Sequence, residues 1–227
     1  MKLNQSMKTT MSLAAIAGLA LATSTQAATI VGVTIEDVSS EIATFARTAD
    51  NTINGSAFEP NGTGTHGAST ANGNGMWLSQ GNFVSGGAPF DPLPAHITYD
   101  LEDNYDLSSF TVWNYNENNA TGRGANGVTV SVASSVGGSF TALAGITTFA
   151  QAPGNDTTNF GETFDLTSLV AAGNVRLLRI DITSNHSGDF DFAGLSEIRF
   201  DGEAVPEPTT TALLGLGGLA LILRRRQ

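Results

Sequence analysis

Apolar and polar positions alternate in short bursts between residues 28 and 200, and no long run there repeats at the helical period of about 3.6 residues. In residues 127–133 (GVTVSVA), Val128, Val130 and Val132 share one face while Thr129 and Ser131 share the other. Comparable runs occupy residues 28–35, 97–101 (ITYDL), 109–116 (SFTVWNYN), 139–143, 161–166, 175–183 (VRLLRIDIT) and 194–200 (GLSEIRF). Short strands at this spacing, separated by glycine-rich turns, predict an all-β antiparallel sandwich. Residues 51–94 break the rhythm with a Gly-, Asn-, Thr- and Pro-rich stretch around Met76-Trp77-Leu78. A loop of that length is uncommon inside a compact domain. Either Trp77 pins a functional loop, or it is the sole core anchor of a surface insertion.

Two runs are apolar all round, and they lie at the two ends of the chain. Lys2 and Lys8 precede residues 12–22 (SLAAIAGLALA), and small residues follow up to Ala27. That order is a secretory signal peptide, residues 1–27, addressed to the Sec translocon and cut after Ala27. Near the other end, Val205, Pro206, Glu207 and Pro208 cannot be helical, because proline lacks an N–H and pushes the preceding residue to extended geometry. Residues 211–223 (TALLGLGGLALIL) then form an apolar run that stops at Arg224, Arg225 and Arg226. At about 1.5 Å per residue it makes a transmembrane helix near 20 Å, short against a hydrocarbon core of about 30 Å. The arginines stay cytoplasmic and leave the rest of the chain outside.

The three features of residues 205–227 resemble, in the same fixed order, the PEP-CTERM sorting segment, also known under an ice-binding protein C-terminal label that implies nothing about ice. The resemblance implies that a membrane exosortase recognises the Pro-Glu-Pro and cuts nearby. The protein would cross the inner membrane transiently and reach the cell surface or extracellular matrix of a Gram-negative bacterium.

Composition bounds what lies between the ends. Residues 28–204 carry five arginines, no lysine and twenty carboxylates, a net charge of −15. Nucleic acid is excluded as a partner, since such binding rests on basic side chains that neutralise phosphates. An acidic surface suits a secreted protein or one that attracts divalent cations. The chain has no cysteine, so disulfides and thiol chemistry are excluded and the domain relies on its core.

From residue 97 onward the order of pieces resembles the discoidin-like domain, a galactose-binding-like jelly-roll β-sandwich that also serves as a carbohydrate-binding module. The pieces are ITYDL, the Trp113-Asn114-Tyr115-Asn116 strand, the Arg123 turn, the VTVSVA strand and the final strand with Ser196-Glu197-Ile198. Asn51-Thr52-Ile53-Asn54-Gly55 and Trp77 extend the likeness backwards, although Asn54 stands where the family usually carries Asp and the gap to Trp77 is long. The resemblance implies a structural calcium ion, with Glu197 and Asn54 as ligands beside carbonyl oxygens of residues 50–56; the alternative is that Glu197 pairs with Arg199 or Arg176. It also implies a ligand site in the loops at one end. Candidates are Asn114, Tyr115, Asn116, Glu117 and Asn118, then Arg123, and His186, Asp189 and Asp191. Asn, Arg and Tyr supply the planar polar groups and aromatic face that sugars need. At least one of Trp113 and Tyr115 belongs to the core.

Catalytic arrangements are missing from the pattern. His66, His96 and His186 are isolated, no Gly-x-Ser-x-Gly elbow occurs, and residues 61–75 lack the lysine of a phosphate loop. Asp189 and Asp191 are neighbours on one loop and do not oppose each other as a glycosidase's acid and base must. The expectation is a non-catalytic carbohydrate-binding module for extracellular polysaccharide; the alternative is a structural biofilm-matrix protein without a discrete ligand.

Overall fold

The computed structural model describes residues 27–55, 75–80, 93–155, 159–171, 173–188 and 192–205. Residues 1–26 of the expected signal peptide, Pro206 and everything after it, most of residues 51–94, and Asp189 and Asp191 lie outside the described residues. Nine strands make up the described chain: β1 (Ala28–Thr29), β2 (Thr34–Val38), β3 (Trp77–Leu78), β4 (Ala95–Asn114), β5 (Val128–Ala133), β6 (Thr141–Ala142), β7 (Glu162–Asp165), β8 (Val175–Ile182) and β9 (Gly194–Ala204). Every pairing between them is antiparallel. Among the described residues there is no α-helix, and no helix is long and apolar enough to cross a membrane.

β4 organises the architecture. Its first part pairs with β2 through Val38↔Ile97 and with β8 through Ala95↔Ile182, and β8 carries β5 and β6 beyond it. Its second part pairs with β7 through Phe110↔Phe164 and with β9 through Phe110↔Phe200. β9 holds β1 and β3 as well. One strand therefore belongs to both layers of the jelly roll and turns a corner between them. The sequence pattern reads residues 97–101 and 109–116 as two strands with a connector, because Glu102, Asp103, Asn104 and Asp106 between them are polar. The structure makes them one strand whose corner is exposed. Glu102 takes a left-handed φ of +68° there. Asp100 braces the turn: its Oδ1 accepts the Glu102 N–H at 2.7 Å, and both its oxygens accept Arg176 at 2.9 Å.

A second difference lies at the start of the domain. Residues 28–35 read as one strand, but Gly32 (φ +79°) breaks the run. β1 then joins β9 while β2 joins β4. A left-handed φ is accessible to glycine at no steric cost.

The core fills the space between the layers. Tyr99 meets Phe200 edge-on at 5.4 Å between ring centroids, and Phe110 stacks on Phe164 at 5.0 Å with Phe149 against both. Fully burying a side chain of this size contributes on the order of 1.5–3 kcal/mol. Trp77 is fully buried in the same cluster, and its indole N–H donates to the Ser40 carbonyl at 3.0 Å. β3 thus ties residues 75–80 to the edge of β9. A small satellite cluster of Ile42, Met76, Leu78 and Tyr115 caps the end of the sandwich where β4 finishes.

Candidate functional site

Beyond β4 the chain runs into the loop of residues 115–120 and then a 3-10 turn, Thr121–Arg123. The strand's alternation fails here, and successive side chains Trp113, Asn114, Tyr115 and Asn116 are all buried. The asparagines brace loops. Asn114 Nδ2 donates to the carbonyls of Ala125 (2.7 Å) and Ala150 (2.8 Å), while its Oδ1 accepts the Tyr115 N–H at 2.8 Å. Gly124 must be glycine beside it, since a Cβ there would lie 2.6 Å from Asn114 Oδ1. Asn116 Nδ2 donates to the Asn155 carbonyl at 2.7 Å, and its Oδ1 accepts the Gly154 N–H at 2.8 Å. His186 Nε2 lies 3.0 Å from the Phe149 carbonyl. The structure therefore places Asn114, Tyr115 and Asn116 inside, as the frame of the loop end.

Glu117 and Arg123 stand closer to solvent. The Tyr115 hydroxyl donates to Glu117 Oε2 at 2.6 Å. Arg47, between the 3-10 turns Ala43–Phe45 and Ala49–Thr52, grips the same carboxylate with two N–H groups at 3.0 and 3.1 Å and also donates to the Tyr115 hydroxyl. Arg123 adds a third approach at 3.3 Å. Burial raises the Glu117 carboxyl, but the Tyr115 hydroxyl and the two guanidinium groups outweigh it and hold the group below its ordinary value. Burial, then the bond to Glu117, push the Tyr115 phenol well above its own. Glu117 stays ionised and orients the guanidiniums. The Arg123 guanidinium also sits over the Phe192 ring, 4.7 Å from its centroid, and its side chain is 37% exposed against 11% for Arg47. Asn118 is exposed on the same loop.

Sequence reasoning missed Arg47 and Phe192. Arg47 lies 70 residues from its partner Glu117, and no local pattern announces such a pairing. Among the candidates, the structure joins Tyr115, Glu117 and Arg123 in one network, and links Asn114 to His186 at 3.5 Å on its inner side.

The proposed calcium ligands meet elsewhere. A cleft of about 730 Å³ is lined by residues 29–34, by Asp50, Ile53, Asn54 and Gly55, and by residues 197–200 of β9. Glu197 is 2% exposed; one carboxylate oxygen accepts the Gly55 N–H at 3.2 Å and the other lies 3.5 Å from Arg199 Nε. Burial raises the Glu197 carboxyl to about 7, more than Arg199 and the Gly55 N–H lower it. Arg199 thus offsets the buried charge only in part, while Asp50, Asn54 and Glu197 all offer the oxygen donors that a hard cation takes. Among the described residues no three His, Asp or Glu side chains converge, so backbone carbonyls of the turn would complete the ligands.

Comparison with known proteins bears on the C-terminal end and the middle of the chain. Residues 204–226 match the PEP-CTERM protein-sorting motif. No curated protein matches the chain. The F5/8 type C domain of a Bacteroides fragilis protein is similar in structure, with a TM-score of 0.52 and 14% identity over 79% of this chain and 97% of that one. CBM32-3 from a family 31 glycoside hydrolase of Clostridium perfringens gives a TM-score of 0.51 and 16% identity over 78% and 95%. At such identities the likeness concerns the fold. The motif implies exosortase-dependent export across the membrane of a Gram-negative bacterium. The chain carries a PEP-CTERM protein-sorting motif behind a discoidin-like, galactose-binding-like jelly roll.

Proposed function

We propose that this protein is a non-catalytic carbohydrate-binding module, sorted by an exosortase to the cell surface or extracellular matrix, where it binds polysaccharide. The observation that carries the reading is the half-exposed Arg123 guanidinium, oriented by Glu117 and stacked over Phe192. A fixed planar donor beside an aromatic ring is what hydroxyl-rich rings need for hydrogen bonding and for apolar contact. The sorting motif supports the reading, since it sends the domain to where polysaccharide lies. So does the name of its structural neighbour, a family 32 carbohydrate-binding module.

The reading includes a structural calcium ion at Glu197, with Asp50, Asn54 and carbonyls of their turn as the other donors. Calcium would supply the positive charge that the buried carboxylate lacks and would lock the turn to β9.

Affinity electrophoresis of the mature protein through gels containing neutral and uronate-rich polysaccharides tests the binding, with calcium and with chelator. Retention of the wild type, lost in Arg123→Ala at unchanged melting temperature, is the expected result. Absence of retention in every gel would sink the reading and leave the structural-matrix alternative.

A further inference from the structure

The sorting motif begins inside the fold. Its matched residues start at Ala204, which is also the last residue of β9 and pairs with Tyr105 on β4. The next residue, Val205, donates its N–H to the Asn104 carbonyl at 2.9 Å. Its side chain rests on Gly173, where a Cβ would lie 3.0 Å from Val205 Cγ2. Pro206 follows with no intervening linker.

This spacing leaves little room. From Val205 to Thr211, where the apolar run begins, are six residues. Even fully extended they span about 20 Å, at roughly 3.3–3.6 Å per residue. An enzyme that encloses Pro206, Glu207 and Pro208 must therefore work in a gap about two helix diameters deep, and its wall on the domain side abuts the sandwich. The sandwich end in question is the β4 corner. It exposes Glu102, Asp103 and Asp106, with Glu203 half-buried beside them. Glu102 and Asp103 raise the Arg176 guanidinium, but Asp100 holds that group first. The end is left acidic.

We propose that the β4 corner, residues 102–106, is a docking surface for the exosortase that processes this chain, and that it meets a basic rim on the enzyme. The folded sandwich and the Pro-Glu-Pro are then read together, and the acidic corner steers the tethered chain into the active site. Steering of this kind changes association rates by tenfold or more and fades with ionic strength.

The test is a pulse-chase of the full chain in an exosortase-containing host, following conversion of precursor to released protein. The variant Glu102→Gln/Asp103→Asn/Asp106→Asn keeps the side-chain shapes, and melting of its released domain checks the fold. Release on the order of tenfold slower is expected. Placing twelve Gly/Ser residues between Val205 and Pro206 should slow release to a similar rate and make it insensitive to the three neutralisations. Wild-type release by the neutralised variant overturns the docking surface, as does faster release with the spacer, which would show that the sandwich obstructs the enzyme. The same host without exosortase should release none of these chains. Release there would overturn the sorting step itself, a failure distinct from that of the docking surface.

Discussion

Burial of Glu197 makes a quantitative prediction for stability against pH. Its carboxyl titrates near 4.5 ordinarily and is raised to about 7 in the fold, chiefly by burial. Between those values the folded state holds a proton that the unfolded chain has already lost. Stability therefore falls as pH rises through this window, by about 1.4 kcal/mol per pH unit. The penalty is absent below pH 4.5, reaches about 3 kcal/mol near pH 7 and stays constant above it. Glu197→Gln keeps an acceptor for the Gly55 N–H and does not titrate. Urea denaturation of both proteins in chelator, at pH 4.5, 6 and 8, isolates the term because the other carboxylates are common to both. The stability of Glu197→Gln minus that of the wild type should widen by about 3 kcal/mol from pH 4.5 to pH 8. A difference constant across that range would refute the burial argument. Calcium at 100 times its dissociation constant should return about 2.7 kcal/mol to the wild type at pH 8, and nothing to Glu197→Gln. Equal stabilisation of both would remove Glu197 from the ligand set.

The remaining predictions concern the loop end. Tyr115→Phe leaves Arg47 and Glu117 each short of a partner in a buried network, so urea denaturation should show a loss of about 1–3 kcal/mol. Gly194→Ala would place a Cβ 2.6 Å from the Tyr115 ring and 2.7 Å from the Trp77 carbonyl. The backbone oxygen cannot retreat cheaply, and the loss should reach or exceed about 1–3 kcal/mol; an unchanged melting temperature would contradict the packing described.

The strands were largely legible because period-two alternation survives wherever one face is buried, as at Val128 and Val130 on β5. It misled at two places for one reason. The paths of β4 and of residues 28–35 depend on which layer a strand joins, and a left-handed residue sits at each change, Glu102 in the polar corner of β4 and Gly32 between β1 and β2. The sequence grouped Tyr115, Glu117 and Arg123, which the structure joins in one network, but it did not show which candidates brace loops. Asn114 and Asn116 have the chemistry of ligand contacts, yet neighbouring loop carbonyls and N–H groups claim them. Satisfying buried backbone is as strong a demand as binding a ligand. Arg47 was invisible because its pairing with Glu117 exists only once the chain closes.

The central claim is that the sandwich end around Arg123 binds polysaccharide, and isothermal titration of the released domain tests it most directly. Titrating soluble oligosaccharides of the matrix polymer into wild type and Arg123→Ala should give saturable heat in the first and none in the second, with both melting at the same temperature. Saturable binding that is indifferent to Arg123 would contradict the site, and the absence of binding in the wild type would contradict the function.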